Sequence, residues 1–191
     1  IRMAIKEFTQ GSRLDEIKKL LKNHRDDIPS LYQEIDFIDI KTTTEDLRKL
    51  AEIIIESERP LILVGGALLA ESLVDENVLT DLNILSERWV LPISPTHRRP
   101  QLFDSWHPNY GGYMGIRVPP LLINQMKETD LLVVLGERMT DTVSQSYTFP
   151  KAPKPQFPMI HIWPDVDEIG RVWHPEVGIP ASPHEVIKGL L

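Results

Sequence analysis

The chain has 191 residues, 41% hydrophobic and 26% charged, with 21 Lys+Arg against 28 Asp+Glu, a formal net charge of -7 and no cysteine. These values suit one globular domain, which at this size removes roughly 70% of the unfolded chain's accessible surface and folds without disulfides or a structural metal. They exclude a disulfide framework and every thiolate metal site, and an acidic balance with one short basic cluster, His97-Arg98-Arg99, argues against a nucleic-acid partner.

Residues 1–41 stand apart from the rest of the chain. Ile1-Arg2-Met3 lacks a signal-peptide pattern and does not begin with Met, which suggests a piece of a longer chain; with the lack of cysteine, the expected compartment is the cytoplasm. Ser12 is placed to cap a helix carrying Leu14, Ile17, Leu20 and Leu21 on one stripe, and Pro29 ends the pattern. Residues 31–40 show no clear period, so the segment reads as a linker, a docking arm or the tail of a preceding domain.

At Thr42 a capping box with Glu45 precedes Leu47, Leu50, Ala51 and Ile54 at helical spacing. Arg59-Pro60 stops that helix, and the continuous apolar run Leu61-Ile62-Leu63-Val64 predicts a strand buried on both faces, ended by Gly65-Gly66. The alternation then repeats. A helix over 79–89 is followed by a strand in Val90-Leu91-Pro92-Ile93, a long loop, a helix over 120–128 and a strand over 131–135. Strands over 159–162 and 177–181 and helices over 166–172 and 183–191 complete the pattern. Strands alternating with helices predict an α/β fold with a doubly wound parallel sheet, and no run reaches the ~20 apolar residues of a membrane span.

In such sheets ligands bind beyond the carboxyl ends of the strands, where strand order reverses. Four motifs are expected there: Gly65-Gly66-Ala67, Gly136-Glu137-Arg138-Met139, Ile160-His161-Ile162-Trp163-Pro164-Asp165 and the loop His107-Pro108-Asn109-Tyr110-Gly111-Gly112-Tyr113-Met114-Gly115. The glycine turn can bring backbone N–H groups to a phosphate or can be a plain strand-to-helix turn; a G-x-G-x-x-G fingerprint is absent, since positions 67 and 70 are Ala. Arg138 is placed to hold a phosphate with Asp141 steadying it, or to form an ion pair, for example with Glu137. Asp165 can accept from a ribose or cap a helix, and Trp163 can stack on a base or plug its place. Neither His107 nor His161 has the partners of an acid, a base or a metal ligand, so no catalytic residue and no metal site is assigned.

The order of these motifs resembles the central domain of thiamine-diphosphate-dependent enzymes of the acetolactate synthase-like superfamily. The likeness covers about 42–191 and rests on Leu63-Val64-Gly65-Gly66, Pro92 with Thr96, the His-Pro loop ending Gly112-x-x-Gly115, Asp130 before the strand to Gly136-x-Arg138, Ile160-His161-Ile162 and Glu168-Ile169-Gly170-Arg171. The resemblance implies a Rossmann-like central domain whose partners are the two outer domains of a homo-oligomeric parent enzyme. Those domains would hold thiamine diphosphate and Mg²⁺ and act on 2-keto acids by decarboxylation or carboligation. The family's Gly-Asp-Gly and Asn-Asn motifs do not occur here, so this segment is expected to be inert by itself.

Some family members hold FAD in this domain. The positions that would line such a site are Gly65, Gly66, Thr96, Gly112, Gly115, Gly136, Arg138, Asp141 and Asp165. The chain departs from the pattern at Trp163, where an acidic residue is usual, at Ala67, which replaces a glycine, and at Thr140, which replaces an Asp. These departures count against FAD. A reading from another class also stands at this point: a free-standing module binding FAD, NAD or ADP.

Overall fold

The computed structural model describes residues 36–37 and 44–191; the helix expected over 12–21 and the capping residue Thr42 lie outside them. Six strands, β1 (Asp36–Phe37), β2 (Pro60–Val64), β3 (Ile93–Pro95), β4 (Leu131–Leu135), β5 (Met159–Ile162) and β6 (Val177–Ile179), form one sheet in the order β1-β6-β5-β4-β2-β3. All pairings are parallel, with Ile62 opposite both Ile93 and Val133, and His161 opposite both Val134 and Gly178. The chain runs from β2 outward to β3 on one side and then returns to lay down β4 on the other. The reversal of strand order therefore falls between β2 and β4.

Alternation along the central strands splits the core in two. Ile62 and Val64, Val133 and Leu135, and Ile160 and Ile162 point to one face. There they meet helices α1 (Thr44–Glu56), α2 (Gly66–Ser72), α3 (Asn77–Trp89) and α5 (Pro183–Leu190) through Leu50, Ile54, Leu68, Leu82 and Ile187. Leu61, Leu63, Leu132, Val134 and Met159 point to the other face, where Met126 of α4 (Pro120–Met126) joins Met139, Val143, Phe149 and Trp173 from irregular chain. Burial on both faces explains why β2 and β4 read as apolar runs.

The helix expected over 120–128 ends at Met126 and the strand expected over 177–181 at Ile179, and three departures from the sequence reading are larger. Val90 is no strand residue: it closes α3 in the left-handed conformation at φ 54, exposed, and the Leu91 amide donates to the Ser86 carbonyl at 3.0 Å. Pairing therefore begins only at Ile93, and Pro95, which has no N–H to give, is tolerated because β3 is the edge. The helix expected over 166–172 shrinks to a 3₁₀ turn, Val166–Glu168, and Gly170 at φ 82 turns the chain away. Asp36–Phe37, in a stretch without a period, pairs with β6.

The loop after β3 runs beside that strand. The Ile93 amide donates to Asn109 O and the Gly111 amide to Ile93 O, each at 2.8 Å, and the Met114 amide donates to Pro95 O at 2.9 Å. Ile93 thus bridges Tyr110 and Thr96 bridges Met114, both in parallel sense. The loop enters at the amino end of the strands and leaves at the carboxyl end.

Candidate functional site

The carboxyl ends of β2, β3 and β4 meet at the reversal point, and the first floor there is the glycine turn. The Gly65 amide donates to Leu135 O at 3.1 Å and the Ala67 amide to Gly136 O at 2.9 Å, so the two strand-end loops are stitched backbone to backbone. A Cβ on Gly65 would stand 2.6 Å from Gly136 O and 2.5 Å from Glu137 Cβ. Only a residue without a side chain permits that approach. Gly136 is glycine for a further reason: its φ is +69, and a Cβ would meet the Leu68 amide nitrogen at 2.9 Å.

Above this turn lies Glu137, a half-buried residue that the sequence reading treated only as a partner for Arg138. Its Oε2 stands 2.6 Å from where a Gly65 Cβ would be and 2.5 Å from Thr96 Oγ1, while its Oε1 accepts from the Arg138 amide at 2.9 Å. Thr96 is fully buried, and its hydroxyl has one proton for two acceptors, this carboxylate at 2.5 Å and Val64 O at 3.1 Å. Arg99 covers the neighbouring glycine, with Nη2 3.3 Å from a Gly66 Cβ position, and its buried Nε has no acceptor. Glu137 and Arg99 thus flank one turn, and neither forms an ion pair among the described residues.

Arg138 turns away from the glycine turn. Its guanidinium lies over the Trp163 ring at 5.1 Å from the centroid, and its Nε is 3.9 Å from Glu168 Oε2, which also accepts from Arg171 at 3.0 Å. The expected support from Asp141 is absent: Asp141 is exposed and its carboxylate meets Thr142 at 3.4 Å. The ion pair with Glu137 is absent too, because that carboxylate takes the Arg138 backbone and not its side chain. Trp163 therefore has one ring face covered by a cation from its own chain. Asp165 caps the 3₁₀ turn, its Oδ1 accepting from the Asp167 amide at 3.0 Å.

The histidines serve architecture. His161, 4% exposed, makes a hydrogen bond to Glu137 O at 3.0 Å, and burial drives its imidazole down to about 4 against the opposing pull of that bond and of Glu168. At neutral pH it is uncharged and donates the one proton that holds the Glu137 loop. His107 accepts from the Asn109 amide through Nδ1 at 3.1 Å and packs edge-on against Phe103 at 4.8 Å, shaping the loop. No cluster of three or more His, Asp or Glu among the described residues is arranged to hold a metal ion.

The candidate residues do not all converge. Gly65, Gly66, Thr96 and Gly136 stand at the reversal point, and Arg138 and Asp165 follow β4 and β5 at the same end of the sheet. Gly115 follows Met114, which pairs with the carboxyl end of β3. Gly112 lies elsewhere, against Leu122 and in a groove of about 570 Å³ with Pro60 and Pro92, which precede or begin strands. Glu137 and Arg99 were the members that sequence reasoning missed. The available signal was an acidic residue directly after a strand-end glycine and an arginine three residues after Thr96.

Residues 47–190 match the family model described as the thiamine pyrophosphate enzyme central domain. The chain is 29% identical over 145 residues to a protein named probable acetolactate synthase large subunit from Methanocaldococcus jannaschii, covering 76% of this chain and 23% of that protein. It is 27% identical over 148 residues to acetolactate synthase isozyme 1 large subunit of Escherichia coli, covering 77% and 24% respectively. A 3D-(3,5/4)-trihydroxycyclohexane-1,2-dione hydrolase from Bacillus licheniformis is 30% identical over 117 residues, 61% of this chain and 18% of that one. The chain thus spans about a quarter of the length of the acetolactate synthase relatives it matches. A parallel sheet whose strand order reverses between β2 and β4, together with a family match over 47–190, shows that this chain belongs to the central domains of thiamine pyrophosphate enzymes.

Proposed function

We propose that the chain is the central, non-catalytic domain of an acetolactate synthase-like enzyme that decarboxylates or joins 2-keto acids, and that its work is to support the two outer domains. The observation that carries this reading is that His161 and Arg138, the strand-end candidates for chemistry, are already engaged. His161 is buried, neutral and bonded to a main-chain carbonyl, and Arg138 is laid on Trp163 beside Glu168. In the parent enzyme, thiamine diphosphate with Mg²⁺ would supply the carbanion chemistry from the outer domains.

A supporting role also fits the surface. Trp106 is 92% exposed, Leu121 72% and Ile116 67%, all on or beside the loop that flanks β3. Exposed apolar side chains of this size suit contact with neighbouring domains or subunits of a homo-oligomer. No helix among the described residues is long and apolar enough to cross a membrane, and a cytoplasmic location accords with the absence of cysteine.

FAD fits these residues poorly. The base-stacking face at Trp163 is covered by Arg138, Asp165 is spent on a cap, and Glu137 puts a negative group over the glycine turn. The chain purified alone is therefore expected to be colourless. Incubated with pyruvate, thiamine diphosphate and Mg²⁺ it should release no CO₂, whereas an enzyme that includes the outer domains should; turnover by the isolated chain would sink the assignment.

A further inference from the structure

We infer that Glu137 is a built-in occupant of the diphosphate position of this crevice, which keeps the frame of a nucleotide site while refusing nucleotides. The inference deepens the proposed function and rests on it only in expecting a nucleotide-type crevice here. Its basis is a coincidence of place. In sheets of this kind the phosphates lie against the glycine turn at the reversal of strand order, and in this chain Glu137 Oε2 lies there, 2.6 Å from the position of a Gly65 Cβ.

The carboxylate resembles a ligand in how it is held. Thr96 Oγ1 stands 2.5 Å from it, with Val64 O at 3.1 Å as that hydroxyl's other acceptor, and the Arg138 amide donates to it at 2.9 Å, so it faces a hydroxyl and a backbone N–H, the donors that commonly bind phosphate oxygens. No cation among the described residues neutralises it. A diphosphate entering the turn would meet both the volume of the side chain and an unpaired like charge, and such juxtapositions disfavour binding strongly.

Beneath the carboxylate the Gly65 and Ala67 amides are held by Leu135 O and Gly136 O, and the cationic side of the frame remains. Arg99 lies over Gly66 with a buried Nε that has no acceptor, and Thr96 stays fully buried at the end of β3. Replacing Glu137 with a small residue would remove the carboxylate from beside Gly65, leave the Thr96 hydroxyl with Val64 O as its acceptor at 3.1 Å, and leave the Arg99 cation over the neighbouring glycine. His161, which holds the loop through the Glu137 carbonyl, does not depend on the side chain.

The test is calorimetric titration of the whole chain with ADP, which carries the diphosphate without a flavin or nicotinamide. The unsubstituted chain should give no binding heat, and Glu137→Ala should bind at least about tenfold more tightly, the equivalent of 1.4 kcal/mol. Glu137→Ser, which leaves a small polar group near Thr96, should behave likewise. Binding of ADP by the unsubstituted chain as tight as by the variants, or no binding by folded variants, would overturn the inference. Failure of both variants to fold, read by circular dichroism, would overturn it as well, because Glu137 would then be a structural support. None of these results bears on the pyruvate assay, so the two readings fail separately.

Discussion

The two ends of the sheet make opposite use of similar materials. At the carboxyl end, where α/β sheets bind their ligands, glycines bring two strand-end loops into contact and Glu137, Arg99, Arg138 and Trp163 fill what space remains. At the amino end, Pro60, Pro92, Tyr110, Gly112 and Leu122 line an open groove of about 570 Å³. The size of a hollow and the place where such sheets bind ligands are therefore different questions in this molecule. A crevice can retain its backbone and lose its vacancy to one side chain.

The largest expected effect at the carboxyl end comes from His161. Its folded pKa of about 4 lies below the ordinary 6.5, so the unfolded chain takes up the proton first as pH falls. The contribution is complete above pH 6.5 and is lost toward pH 4, amounting to about 3 kcal/mol. Urea melts at the two extremes should show the decline, and His161→Gln, lower in stability throughout, should flatten it; an equal slope in that variant would refute the account.

Next comes Gly65→Ala, whose Cβ would press on Gly136 O at 2.6 Å; with backbone unable to yield, the cost should be about 2 to 3 kcal/mol in thermal melts. The comparison at the amino end is Asp130. Its carboxylate accepts from Ser57 Oγ and from the Glu58 and Arg59 amides at 2.8 and 2.9 Å, tying the turn before β2 to the start of β4. Burial pushes its pKa up, but these bonds outweigh it and hold the carboxyl below its usual value. Asp130→Ala should cost about 1 to 2 kcal/mol, and a loss as large as that at Gly65 would mean that the two ends are equally tight. Arg138→Ala should be smallest, about 0.5 kcal/mol, because the cation is 59% exposed and its carboxylate is 3.9 Å away.

Much of the fold was legible because of where its strands lie. Pro60–Val64 and Leu131–Leu135 are central, covered on both faces, and read as apolar runs, while Met159–Ile162 is interrupted only by His161. The start of the edge strand was misplaced by three residues because Val90 and Leu91 look like strand, yet Val90 is a left-handed helix exit and the Leu91 amide bonds back to Ser86 O, whereas Ser94 and Pro95 do not look like strand and are. The site was legible in part. Glycines announce close approach wherever they stand, so Gly65 and Gly136 could be placed from spacing alone. The partner of Glu137 could not: Thr96 is 41 residues away, and their meeting depends on β2 lying between β3 and β4.

The loop alongside Ile93–Pro95 has one more consequence. An uncovered strand offers a ladder of unused amides and carbonyls on which a foreign strand can nucleate, and sheets left that way aggregate or exchange segments. Here Asn109, Gly111 and Met114 claim that ladder through main-chain bonds of 2.8 to 2.9 Å. Any neighbour on this side must recognise side chains such as Trp106 and not extend the sheet, which makes the contact selective, separable by substitution and resistant to runaway polymerisation.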